Sequence, residues 1–148
     1  YGAENVESGR INDPSRKYPG DVCVRSALDP EQWGKAIEVR AKPVSDSDVQ
    51  VFARKCLEMG VLDVSVVAVS SHQAPFRVQV LTDWAEKLGI GLTLFVGWAE
   101  LVEQALFWSQ EAKLDAAHLV ALQIHARLVG VEASTKTLDR WAELTSGI

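Results

Sequence analysis

Cysteine is nearly absent from this sequence, a basic excess is absent altogether, and no apolar run is long. The two cysteines, Cys23 and Cys56, form no CxxC and no His/Cys cluster. That excludes a disulfide scaffold and a thiolate metal site, and leaves reduced, buried thiols in a cytosolic protein. No apolar stretch reaches the roughly 18 residues of a membrane helix, and no signal peptide is visible. The expectation is a cytoplasmic protein with no membrane partner. The net charge of −5 gives no general attraction to polyanions. Its distribution is uneven, however. Residues 1–60 hold nine of the fifteen Lys and Arg against ten acids, and residues 61–148 hold six against ten. A polyanion would meet the first half, with some acids masked by bound cations. Internal repeats and low-complexity tracts are also missing, which removes solenoids and disordered tails from consideration.

What is present suits one domain of 148 residues with a single core. The first residue is Tyr1 rather than Met, which reads as a processed chain or a fragment of a longer protein. Residues 1–20 are polar, with two prolines and three glycines, and read as an arm or loop with weak helical potential near the start. Residues 20–97 carry an α/β pattern, and residues 98–148 a helical one. Asp21 to Arg25 alternates as a strand, with Val22 and Val24 on one face and Asp21, Cys23 and Arg25 on the other. Ala36 to Lys42 is a second strand, with Ile37, Val39 and Ala41 on the core face. Ser45 caps a helix over 46–59, whose Val49, Phe52, Ala53, Cys56 and Leu57 make an inward stripe that stops at Gly60. The run 62–70 is a buried strand, so 36–70 is a right-handed βαβ unit. A helix over 77–88, a strand over 90–97, and helices near 98–110, 114–129 and 134–145 complete the pattern. Trp33, Trp84, Trp98, Trp108 and Trp141 are expected to pack the core. His118 and His125 are expected to be ordinary surface or packed side chains. Arg54 and Lys55 read as solvated helix positions.

Two short strands carry charge where a buried strand should not. Asp21 opens the first, and Glu38, Arg40 and Lys42 share one face of the second. If the strands are neighbours, two carboxylates meet beside several cations. Like charges at short range call for a cation between them, and hard oxygen donors suit Mg²⁺. Arg40 lies roughly 6–7 Å from Glu38 on the same face, placing positive charge beside a metal-bound water or a phosphate. That layout suits phosphodiester hydrolysis. The competing reading is a solvated edge hairpin laced with cross-strand salt bridges.

The residues "PGD" at Pro19–Asp21 and "EVR" at Glu38–Arg40 resemble the PD-(D/E)xK nuclease superfamily. The stretch "EVRAKPVSDSDVQVFARKCLEMGV" further resembles SacI-type restriction endonucleases, and the likeness covers about residues 15–75. The resemblance implies a restriction-endonuclease-like mixed sheet flanked by helices, with a helical C-terminal part. It implies Mg²⁺-dependent cleavage of double-stranded DNA, with Asp21 and Glu38 as metal ligands; because one site cuts one strand, cleavage of both strands calls for a homodimer. The family's lysine position holds Arg40, which can stabilise charge but cannot act as a general base. Lys42, two residues on, is the other candidate for that role. A family glutamate would correspond to Glu4 or Glu7 on a preceding helix. Arg16, Lys17, Arg25 and Gln73 are candidate DNA contacts. An alternative that keeps the fold is a catalytically silent module that binds DNA or a protein.

Overall fold

Ser45 starts the best-specified helix, α1 (Asp46–Glu58). Its hydroxyl accepts from Asp48 N (3.2 Å), while Asp48 Oδ2 accepts from Ser45 N (2.8 Å). This capping box satisfies two backbone donors reciprocally. Gly60, at a φ of 79°, ends the helix in the left-handed region that costs glycine little. Val49, Phe52, Ala53 and Cys56 form its buried stripe.

A computed structural model of the chain describes residues 3–8 and 18–147. It divides between Leu101 and Val102 into two compact units. The first holds a five-stranded sheet in the order β1 (Val6–Ser8), β2 (Val22–Arg25), β3 (Trp33–Arg40), β4 (Asp63–Ala68) and β5 (Gly91–Val96). The β1–β2 and β2–β3 pairs are antiparallel; β3–β4 and β4–β5 are parallel. α1 connects β3 to β4, and α2 (Val78–Lys87) connects β4 to β5. Helices α3 (Gly97–Phe107), α4 (Lys113–Gly130) and α5 (Thr135–Thr145) follow. The α/β architecture expected from the sequence is therefore present, and it is consistent with a restriction-endonuclease-like fold. None of the described helices is long and apolar enough to cross a membrane.

One face of the sheet carries Ala36, Val64, Val66 and Ala68, and it packs against Val49, Phe52 and Cys56 of α1 and Leu81 and Ala85 of α2. The register sets Ala36 beside Val64 and Glu38 beside Val66, so Glu38 shares this helix-covered face. The opposite face carries Ile37, Val39, Ser65, Val67 and Phe95. Ser65 is buried, and its hydroxyl has no hydrogen-bond partner among the described residues. An unmet buried hydroxyl costs about 1–3 kcal/mol. Ser65→Ala should therefore raise unfolding stability by about 1 kcal/mol in a urea titration; a lower midpoint would contradict this.

Several expectations need correction. The described part of the arm holds the 3₁₀ turn Ala3–Asn5 where weak helical potential was expected, but Val6–Ser8 is the edge strand β1 rather than loop. Three residues are too short for a periodic signal. β3 begins at Trp33 and ends at Arg40, so Lys42 is not on the strand. The fully buried residue of β3 is Ala36 rather than Ile37 or Val39. Cys23 and Val24 are both buried, so β2 is covered on both faces. Trp98 and Trp108 are 55% and 74% exposed and pack no core. In the second unit α4 and α5 pack together, and Trp141 Nε1 donates to Ala121 O (3.2 Å).

Candidate active site

The chain enters β2 through Pro19 and Gly20. Pro19 is fully buried. A Cβ on Gly20 would lie 2.7 Å from Ile37 O, inside any real carbon contact. Only glycine lets the chain press this closely on β3. That approach fixes the next residue. Val22 pairs with Ile37 and Cys23 with Ala36, so the same register continued by one residue sets Asp21 opposite Glu38. Asp21 Oδ2 accepts from Val39 N (2.8 Å), which ties the carboxylate to the strand that carries Glu38.

Glu38 points into a drier place. Its side chain is 14% exposed, against 54% for Arg40, whose guanidinium pairs with it at 2.6 Å. Burial pushes the Glu38 carboxyl above the ordinary carboxylate range, and the nearby Asp21 carboxylate pushes it further. Arg40 and Lys55 pull the other way without cancelling the rise. Two carboxylates, one desolvated, thus face each other across the ends of two adjacent strands. Opposed cross-strand charges of one sign destabilise a sheet. Arg40 bridges Glu38 along its own strand rather than across two strands, and the Glu38 side chain is largely buried rather than solvated.

A stability consequence follows from the sign of that shift. A carboxyl raised in the folded state binds its extra proton when folded. Its contribution to stability is present at low pH and is lost as pH rises through the folded value. At neutral pH Glu38 therefore opposes folding of the metal-free protein, so Glu38→Gln should raise its melting temperature. The gain should shrink as pH falls into the ordinary carboxylate range. A lower melting temperature at neutral pH would show that the Arg40 pairing outweighs the repulsion.

The other candidates are placed differently. Arg25 is held within the fold: its Nε donates to Glu7 Oε1 (2.9 Å), its Nη1 donates to Glu31 O (3.2 Å), and its guanidinium lies 3.7 Å from the Trp33 ring centroid. Gln73 joins two loops, accepting from Val44 N and donating to Val44 O, each at 2.8 Å. Lys42 is exposed in the bend after β3. Glu7 lies on strand β1 rather than on a helix and is engaged by Arg25, and Glu4 is exposed in the 3₁₀ turn. Arg16 and Lys17 lie outside the described residues. Cys23 and Cys56 are buried and unbridged. Burial pushes the Cys56 thiol up to about 12, which removes it as a nucleophile. His118 and His125 are exposed on α4.

Among the described residues no three His, Cys, Asp or Glu side chains converge as a metal cluster. The donor set at the strand ends is a carboxylate pair. It fits a hard ion such as Mg²⁺, which is commonly held by one or two carboxylates with water and phosphate oxygens completing the shell.

No family model matches the chain. The type II restriction enzyme SacI of Streptomyces achromogenes is 30% identical to it over 141 residues, which is 94% of this chain. The chain spans 38% of that enzyme's length. The similarity extends well beyond residues 15–75, and it indicates a restriction-endonuclease-like relationship.

Proposed function

We propose that this chain is a Mg²⁺-dependent endodeoxyribonuclease of restriction type, with Asp21, Glu38 and Arg40 as a PD-(D/E)xK-like site. The observation that carries this reading is the Asp21–Glu38 pair, held at the ends of adjacent strands by the Val39 N–H and the close pass of Gly20. The similarity to a type II restriction enzyme supports DNA as the substrate.

Asp21 and Glu38 would hold the ion. When bound, it would lower the pKa of a coordinated water and offset charge on the phosphoryl oxygens. Asp21 keeps a fixed direction because one oxygen is committed to Val39 N. Glu38, poorly solvated, needs little dehydration before it ligates. Arg40 is half exposed, so its guanidinium can leave Glu38 for a phosphate oxygen, where its fork geometry suits two parallel hydrogen bonds. Lys42 stands just beyond and adds positive charge along the approach. One site cuts one strand, so double-strand cleavage takes two copies related by a two-fold axis. The exposed Leu119, Leu122 and Val129 on α4 support a homodimer. A cytoplasmic setting agrees with two unbridged, buried cysteines.

The test is incubation of the protein with plasmid and mixed-sequence duplex DNA in Mg²⁺, Mn²⁺ or EDTA. The reading expects divalent-dependent nicking or linearisation. A second reading, a silent nuclease-fold module, is favoured by the ion pair that occupies Arg40. Salt-dependent DNA binding with no cleavage in either metal would select it.

A further inference from the structure

Two surfaces of the second unit stand without a partner, and their chemistries are opposite. The first is the stretch from Val102 to Ala112, the end of α3 and the turn after it. α3 buries none of its residues. Phe107 and Trp108 are 77% and 74% exposed, and their rings meet edge to face at 5.2 Å. The stretch holds two acids, Glu103 and Glu111, and no Lys or Arg. The second surface is an apolar groove along α4 and α5. Val120, Ile124, Leu128 and Val131 form one wall, and Trp141 and Leu144 the other. Its charged lining is Arg127, Lys136 and Arg140, with no acid among the described residues. The unit as a whole carries four Lys and Arg against six acids, so this basic rim is a local concentration. Arg140 pairs with Glu143. Arg127, Lys136, Glu103 and Glu111 join none of the ion pairs among the described residues.

We propose that the α4–α5 groove is a dimer interface, and that its occupant is the Val102–Ala112 stretch of a second copy, anchored by the aromatic pair. This rests on the two-copy part of the nuclease reading and names the surface that joins the copies. The two surfaces lie toward opposite ends of α4, whose 18 residues span about 27 Å. Phe107 and Trp108 come before its first turn, and Lys136 and Arg140 after its last. A second copy turned end for end brings its acidic, aromatic stretch to this groove, and receives this copy's stretch in its own. Each contact is then made twice, as a two-fold axis requires. Glu103 and Glu111 oppose a rim whose Arg127 and Lys136 are unpaired within the chain. An aromatic side chain buries roughly 150–250 Å². Four of them in two seats, with the groove walls they cover, come to roughly the 1,200–2,000 Å² of a stable interface.

The test is sedimentation of the full chain over a concentration series, with two charge-reversed variants. One carries Glu103→Lys with Glu111→Lys; the other carries Arg127→Glu with Lys136→Glu. All four positions are exposed, and a cooperative melt checks that both variants fold. The wild-type chain should form a dimer. Each variant alone sets like charges together in both seats and should dimerise at least about tenfold more weakly. An equimolar mixture pairs the reversed stretch of one with the reversed groove of the other, and should recover wild-type association. A wild-type chain that stays monomeric at every concentration overturns the proposal, as does a dimer that both variants leave unchanged. Weakened variants that fail to recover on mixing overturn the match of stretch to groove. A wild-type dimer that cleaves DNA in neither Mg²⁺ nor Mn²⁺ overturns the nuclease reading and leaves the interface standing.

Discussion

Asp21→Asn and Glu38→Gln should each lower divalent-dependent cleavage of duplex DNA by about 10²–10³-fold or more, while both proteins still fold. The reason is geometric. Asp21 immediately precedes β2 and Glu38 lies on β3, and they are set opposite each other only because Val22 pairs with Ile37 and Cys23 with Ala36. Neither can be replaced by a neighbour, since no third His, Cys, Asp or Glu converges on them among the described residues. Asparagine at 21 can still accept from Val39 N, so the hydrogen bond that shapes the loop survives and the loss falls on charge alone. Glutamine at 38 also removes the repulsion, so that variant should be more stable and less active together. Single-turnover cleavage rates alongside thermal melts read both effects. Wild-type rates in either variant would remove the pair from the chemistry.

Gly20→Ala has the next largest expected effect, through position rather than charge. The added Cβ would sit 2.7 Å from Ile37 O and 3.2 Å from Ile37 N, both backbone atoms with no freedom to swing aside. Pro19 on one side is fully buried, and Gly20 O accepts from Cys23 Sγ (3.5 Å) on the other, so the segment has little room to retreat. Overpacking of this kind costs about 1–3 kcal/mol. The shift also carries Asp21 off Val39 N. A displacement of about 1 Å in a reacting group can cost about 10²-fold in rate. Gly20→Ala should therefore lose stability in a denaturant titration and lose cleavage beyond what the unfolded fraction explains. A variant with unchanged stability would mean that β2 does not press on β3 as described.

Much of this arrangement was legible in the sequence because its signals are local. The Ser45/Asp48 box, the stripe from Val49 to Cys56 and Gly60 define α1 within sixteen residues. The continuous apolar run after it marks β4. Asp21 and Glu38 stood out because each interrupts an apolar alternation. What sequence could not supply was tertiary. Ala36 is small and gives no pattern, so the core face of β3 was assigned to Ile37 and Val39, and Glu38 appeared to face away from the helices. In fact the pair sits at the rim of the α1-covered face, which is why Glu38 is desolvated. Arg54 and Lys55 are exposed on α1, as their place outside the apolar stripe predicts. Arg25 and Gln73 looked like DNA contacts because their partners, Glu7, Trp33 and Val44, lie elsewhere in the chain.

The most direct measurement is anomalous diffraction from crystals soaked in Mn²⁺, with the metal located before any DNA is added. One strong peak is expected within coordination distance of both the Asp21 and Glu38 carboxylates, with Arg40 displaced from Glu38 to make room. A structure at millimolar Mn²⁺ that keeps the Glu38–Arg40 pair closed, with no peak between the two carboxylates, would contradict it.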